Sequence, residues 1–145
     1  MLAAFDPGVV TGVAVVDEGG ELVLAADVHK DELRSFLDKL DSVTEVIVED
    51  FRLYRSKNRS LTGSDMPAAQ AVGVIEAWAG DKHLRVTRRP ASMRKALPPR
   101  VLDGLKNNRL LRGKKHARDA AMHALAALLS RGVHPYSLAL RRRSG

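Results

Sequence analysis

The stretch LAAFDPGVVTGVAVVDEGGELVLAADV, residues 2–28, decides which fold class the chain can adopt. Two β-type runs flank the turn-forming pair Pro7-Gly8, and the segment DEGG at 17–20 separates the second run from a third. A Gly-Gly pair between β-type runs is typical of a hairpin turn. Because tight turns reverse the direction of the chain, these three consecutive strands are expected to pair antiparallel.

The segments that follow alternate between helix and strand. Residues 31–40 place apolar side chains at the i, i+3, i+4 and i+7 positions of an amphipathic helix, and TEVIVED at 44–50 is a fourth β-rich run. The remaining predicted elements are a helix at 67–80, a short strand at 84–87 and a helix at 116–131. Strands that are separated by helices pair in parallel. The sequence therefore predicts an α/β fold, in which a mixed five-stranded sheet of three antiparallel and then two parallel strands is flanked by helices.

Length and composition limit the classes of protein to consider. The 145 residues are enough for one domain, which we assign to residues 1–132, followed by a basic tail at 133–145. The absence of cysteine excludes disulfide scaffolds, cysteine zinc sites, iron–sulfur clusters and thiol nucleophiles. No apolar run approaches the roughly 20 residues of a membrane span, and no export signal precedes Asp6. We therefore expect a cytoplasmic protein without a membrane partner.

Charge is divided unevenly along the chain. Residues 1–50 carry 3 basic and 12 acidic side chains, whereas residues 51–145 carry 21 basic and 5 acidic ones. A basic half of this kind is typical of proteins that bind nucleic acid. A basic face without a polyanionic partner is the alternative interpretation.

Acidic side chains occur at three separated points that the predicted topology can bring together. Asp6 ends the first strand, Glu49 and Asp50 end the fourth, and Asp119 lies in the first turns of the last helix. Open α/β sheets bind their ligands at the carboxyl ends of the strands. Carboxylates gathered in one place stay ionised only beside a cation, and sites rich in oxygen donors suit Mg²⁺ or Mn²⁺. Two such ions per site would serve phosphodiester cleavage. Taken singly, each residue could instead form a turn, a solvated strand end or a helix cap.

Three motifs in this order resemble RuvC-type Holliday junction resolvases, with the pattern of phage or prophage members. FDPGVVTGVAVVD resembles the first strand and turn of that family, and VIVED resembles its second acidic strand. HARDAAMHAL resembles its last helix, in which His116 and Asp119 match the D/H-x-x-D-A pattern. PASMRKAL is similar to the family's P-x-x-x-K segment, although Arg94 stands at the lysine position.

The resemblance implies a ribonuclease H-like fold and an endonuclease that nicks Holliday junctions and other branched DNA, including flaps and forks. It implies a homodimer that leaves 5′-phosphate and 3′-hydroxyl ends and depends on Mg²⁺ or Mn²⁺. The implied catalytic metal ligands are Asp6, Glu49, His116 and Asp119. From the basic segments we expect phosphate contacts at Arg52, Arg55, Lys57, Arg59, Arg94 and Lys95.

Two other functions remain open at this level. A nuclease acting on RNA or on an RNA–DNA hybrid would share the metal chemistry, and an inactive DNA-binding module could share the fold. The helix at 67–80 carries more apolar surface than one sheet contact requires, so it is the expected dimer contact. Trp78 in this helix is expected either at the edge of that interface or in the core that covers the sheet.

Overall fold

The computed structural model describes residues 1–50 and 65–133, which form a five-stranded sheet covered by helices on both faces. The strands are β1 (Leu2–Asp6), β2 (Val10–Val16), β3 (Leu22–His29), β4 (Glu45–Glu49) and β5 (Arg85–Arg89). The α-helices are α1 (Leu33–Asp38), α2 (Asp65–Asp81), α3 (Pro99–Lys106) and α4 (Lys115–Ser130). Short 3-10 helices span Lys30–Glu32, Ala91–Ala96 and Arg109–Leu111.

The sheet has the mixed topology that the sequence predicts. Its strand order is β3-β2-β1-β4-β5, so β1 and β4 are neighbours at its centre. The first three strands pair antiparallel, whereas β4 pairs in parallel with both β1 and β5. The carboxyl ends of β1, β4 and β5 therefore meet at one edge of the sheet.

Helix α4 packs on one face of the sheet and is built to approach it closely. Its contact residues are mostly alanines, of which Ala117, Ala120, Ala121, Ala124 and Ala127 are completely buried. Small side chains allow the helix backbone to lie near the strands, against Ala4, Ala14 and Ile47 among others. The close approach also brings Asp119 of α4 toward the edge of the sheet at which Asp6 and Glu49 lie.

Helices α1 and α2 cover the opposite face of the sheet. The core on this side joins Phe5, Val13 and Val48 to Ile75 and Trp78 of α2. Trp78 is fully buried and meets Phe5 edge to face, with ring centroids 6.2 Å apart. Of the two locations expected for Trp78, the structure shows the core and not the edge of a dimer interface.

The segment between β5 and α4 contains structure that the sequence pattern did not predict. Helix α3 begins at the Pro98-Pro99 pair, and it buries Val101 and Leu105, which lie four residues apart. Proline is favoured in the first turn of a helix, so the signal was present. The sequence pattern does not predict α3 because the helix has only eight residues and contains Gly104.

In the described part of the chain, no helix is both long and apolar enough to cross a bilayer.

Candidate functional site

A row of aligned positions crosses the sheet at the edge where β1 and β4 end. Asp6 on β1 pairs with Gly12 on β2, which pairs in turn with Asp27 on β3. On the other side of β1, the pairing of Phe5 with Val48 places Glu49 next to Asp6. Aligned residues on neighbouring strands point to the same face, here the face that α4 covers. The row therefore brings carboxylates from β1, β3 and β4 beneath the first turns of α4.

Gly12 allows the start of α4 to lie against this row. A Cβ atom at Gly12 would stand 1.9 Å from the carbonyl oxygen of His116 and 2.7 Å from the amide nitrogen of Ala117. Only glycine leaves room for such a close approach between a strand and a helix backbone. Gly12 thus sets the distance of α4 from the sheet, and with it the position of Asp119 one turn further along the helix.

Asp27 caps the first turn of α4 from the sheet. Its Oδ1 accepts a hydrogen bond of 2.7 Å from the amide nitrogen of Ala117, and the Nζ of Lys114 donates to the carbonyl oxygen of Ala25 at 3.0 Å. A carboxylate at a helix N-terminus satisfies a free amide and interacts favourably with the helix dipole. The sequence did not single out Asp27, because it lies within a strand and far from the helix along the chain.

Arg94 joins the two acidic elements of the site. Its Nη1 lies 3.0 Å from Oδ1 of Asp119, and its Nη2 donates to Oε1 of Glu49 at 3.5 Å. The guanidinium comes from the 3-10 helix Ala91–Ala96, and the Arg94 side chain is 28% exposed. The sequence predicted Arg94 as a phosphate contact, and the structure places it between two carboxylates. It supplies positive charge where the carboxylates converge.

The pKa values of Asp6 and Glu49 are shifted in opposite directions. Burial, the hydrogen bond with Glu49 and the charges of Glu49 and Asp119 raise the pKa of Asp6 to about 8. Burial also opposes ionisation of Glu49, but the interactions with His123, Asp6 and Arg94 outweigh it and hold the pKa of Glu49 well below its usual range. Negative charge is therefore concentrated enough that one carboxyl retains its proton unless a further cation is present.

The oxygen donors fit a divalent cation, although they do not form a complete metal shell by themselves. Within residues 1–50 and 65–133, no three acidic or histidine side chains are arranged as a ready metal site. Burial is the largest cause of the raised pKa of Asp6, and the charges of Glu49 and Asp119 add to it, so the three carboxylates lie within electrostatic reach of one another. Hard cations prefer carboxylate oxygens, so the residues present are compatible with a bound divalent cation.

The structure places the remaining predicted site residues in different ways. The main chain of His116 contacts β2, while no described contact joins its half-buried imidazole to the three carboxylates. Asp50 follows the end of β4, and its amide nitrogen donates to the carbonyl oxygen of Arg89 at 2.6 Å. Lys95 is exposed beside Arg94. The predicted phosphate contacts Arg52, Arg55, Lys57 and Arg59 lie outside the described residues.

With metal chelated, the protein should lose stability as the pH rises from about 5 to about 8. Over that range the folded state retains on Asp6 a proton that the unfolded chain, with an ordinary pKa of 3.8, has already released. Raising the pH then favours unfolding, by roughly 1 to 3 kcal/mol after solvent screening of this partly exposed group. The lowered pKa of Glu49 stabilises the fold, but this effect is complete above its ordinary value of 4.5 and leaves the slope unchanged.

Urea unfolding in EDTA at several pH values would measure this dependence. Asp6→Asn is the matched comparison, since it has almost the same volume and cannot ionise. Its stability should vary less with pH than that of the wild type. A wild-type stability that rises between pH 5 and pH 8 would show that the carboxylates do not repel one another as described.

Comparison with solved structures identifies the architecture. The structure of Thermus thermophilus RuvC in complex with a Holliday junction substrate matches 90% of this chain and 94% of its own, with a TM-score of 0.63 and 20% sequence identity. The fold is RuvC-like. A second RuvC structure from T. thermophilus matches with a TM-score of 0.59 and 18% identity, over 91% of this chain and 96% of the other. No protein-family model matches the sequence, and no curated protein matches it. The predicted ribonuclease H-like class, a mixed five-stranded sheet flanked by helices, is confirmed.

Proposed function

We propose that this chain is a divalent-metal-dependent endonuclease that nicks Holliday junctions and other branched DNA. The observation that carries the proposal is the convergence of Asp6, Glu49 and Asp119 at one sheet edge within a RuvC-like fold. The RuvC neighbour bound to a Holliday junction supports branched DNA as the substrate class. Positions 51–145 carry 21 basic and 5 acidic residues, and this positive charge suits the binding of a polyanion.

In this proposal the carboxylates hold the metal and the basic residues hold the DNA. Asp6, Glu49 and Asp119 would bind Mg²⁺ or Mn²⁺, two ions per site, with His116 as a further ligand near the start of α4. Bound cations would supply Lewis acidity for attack of water on the phosphodiester and for departure of the leaving oxygen. Glu49 and Asp119 are carried by β4 and α4, and Arg94 bridges the two carboxylates in the absence of metal.

Arg94 has two roles in this account. Without metal, its guanidinium neutralises Glu49 and Asp119. Once cations are bound there, the guanidinium would be free to contact a DNA phosphate, together with the neighbouring Lys95. Arg52, Arg55, Lys57 and Arg59 are proposed to extend the same phosphate contacts. Arginine suits this second role because its planar fork binds phosphate oxygens in pairs.

Resealing of the products tests both the nicking and the chemistry of the ends. A four-way junction with labelled strands is incubated with the protein and Mg²⁺ or Mn²⁺, and then with DNA ligase. Ligase joins only 5′-phosphate and 3′-hydroxyl ends, so the nicked strands should return to full length. Products that form in EDTA, or nicks that ligase does not seal, would contradict the proposal.

A homodimer would present two equivalent sites to the two equivalent strands of a junction. We propose the outer side of α2 as the contact, because Met66, Gln70, Gly73 and Ala77 leave a surface with little charge there. Of the apolar residues that suggested this helix, Ile75 is completely buried within the protomer and is not available for such a contact.

Ala77→Glu should convert the dimer to a monomer without unfolding it. Ala77 is exposed, so the charge costs the isolated protomer little, whereas it would be buried in a shared apolar contact. Sedimentation velocity with and without a junction measures the assembly state. Val23→Glu, at an exposed position on the edge strand β3, is the control and should remain dimeric. A wild-type protein that stays monomeric on the junction would contradict the proposed dimer.

A further inference from the structure

His123 differs chemically from the surface of α4 that surrounds it. Nine residues of this fully described helix are buried, and His123 is the one polar side chain among them. The others are alanine and leucine. A histidine is a poor choice for such a face if packing is its whole purpose, because its ring nitrogens lose water on burial and need a partner.

The nearest described partner of His123 is Glu49. Its Nε2 lies 3.4 Å from Oε2 of Glu49, and both atoms are buried without a formal hydrogen bond. Two buried polar atoms at this separation need only a small adjustment to form a hydrogen bond, which removes the cost of leaving both unsatisfied. Helix geometry supports the pairing, since His123 lies one turn after Asp119 on the same side of α4.

The two oxygens of Glu49 face different groups. Oε1 accepts from Arg94 at 3.5 Å, whereas Oε2 is the atom that approaches His123. A histidine on Oε2 fixes the rotation of the carboxylate and leaves Oε1 directed toward Asp119 and the guanidinium. Hydrogen bonds that orient a metal-binding carboxylate contribute strongly to metal affinity.

We propose that His123 is a positioning residue that fixes Oε2 of Glu49 and so directs Oε1 toward the bound cation. The inference rests on the proposed function, because it assigns Glu49 to a cation. It adds a residue that acts through Glu49 and does not itself touch the metal or the DNA. Neither the charge pattern nor the motif resemblance assigned a role to His123.

Mn²⁺ binding to three variants tests the proposal. His123→Met keeps an apolar side chain of similar size but removes the donor, and it should weaken Mn²⁺ affinity in calorimetry by about 10- to 100-fold. His123→Gln places an amide nitrogen near the position of Nε2 and should recover most of the affinity. Leu125→Met, a core exchange on the same helix, should bind as the wild type does. Unchanged affinity in His123→Met, or equal losses in the Met and Gln variants, would overturn the proposal.

A second measurement leaves His123 in place and so does not depend on the folding of its variants. In the metal-free protein, the ring ¹⁵N resonances of His123 should shift on Glu49→Gln. They should not shift on Glu45→Gln, which alters the other end of the same strand. Ring ¹⁵N resonances of His123 that do not shift on Glu49→Gln would overturn the proposal. If the wild type neither binds Mn²⁺ nor nicks junctions, the proposed function fails and this inference fails with it. If it does both and His123→Met is unaffected, the positioning role alone fails.

Discussion

Asp6→Asn should lower the rate of nicking of a four-way junction at least about a thousandfold, while junction binding stays intact. Asp6 lies at the centre of the row of aligned positions, beside Glu49 and within the field of Asp119. The asparagine has nearly the same volume but no charge to hold the ion. Loss of a metal's stabilisation of the transition state costs several kcal/mol, and each 1.4 kcal/mol is about tenfold in rate. Binding should persist because the basic residues that contact phosphate are unchanged.

Single-turnover nicking and a gel-shift titration separate these two effects. Asp41→Asn, an exposed acid far from the sheet edge, is the matched control and should nick at the wild-type rate. If Asp6→Asn nicks at the wild-type rate in Mg²⁺, the assignment of the site is wrong. If it loses junction binding as well, Asp6 supports the DNA-binding surface and is not specific to cleavage.

Gly12→Ala should lower the free energy of unfolding by about 1 to 3 kcal/mol and reduce the rate of nicking as well. The added methyl group would stand 1.9 Å from the carbonyl oxygen of His116, so backbone must move to admit it. Overpacking of a tightly packed contact has costs of this size. The movement also displaces Asp119, and a misplacement of about 1 Å can cost about 100-fold in rate.

Urea unfolding and single-turnover nicking measure the two consequences in the same preparation. Gly104→Ala is the matched control, because no atom lies within 4 Å of the added Cβ and the residue is inside α3. That exchange should stabilise the protein by about 0.5 to 1 kcal/mol and leave the site intact. Equal stability and activity of Gly12→Ala and the wild type would show that α4 does not depend on this close contact.

The directions in which the strands pair could be predicted because they depend on local patterns. The turn at Pro7-Gly8 and the alternation of strands with helices determine which strands are parallel, and parallel strands end at the same edge. The sequence therefore predicts that Asp6 and Glu49 lie at one edge of the sheet if the first and fourth strands are neighbours. In the structure, Asp6 and Glu49 are neighbours because β1 pairs with β4.

The contacts that hold the site together could not be predicted from the sequence. Asp27 has the sequence environment of an ordinary strand residue, and only the tertiary packing brings it to the amide of Ala117, which lies 90 positions later in the chain. Arg94 is one of many basic residues in its region, so nothing local separates an internal ion pair from a phosphate contact. His123 sits in an Ala- and Leu-rich helix, where the pattern alone does not reveal a partner on a distant strand.

One cleavage assay on matched substrates decides whether the protein is a metal-dependent nuclease of branched DNA. Four-way junction, flap, RNA–DNA hybrid and linear duplex of related sequence are incubated with the wild-type protein in Mg²⁺, and parallel reactions contain EDTA. Metal-dependent nicks are expected in the four-way junction, and the linear duplex should remain intact. Two results would contradict this function. One is cleavage of the RNA–DNA hybrid alone, and the other is a four-way junction that the protein binds in Mg²⁺ but does not cut.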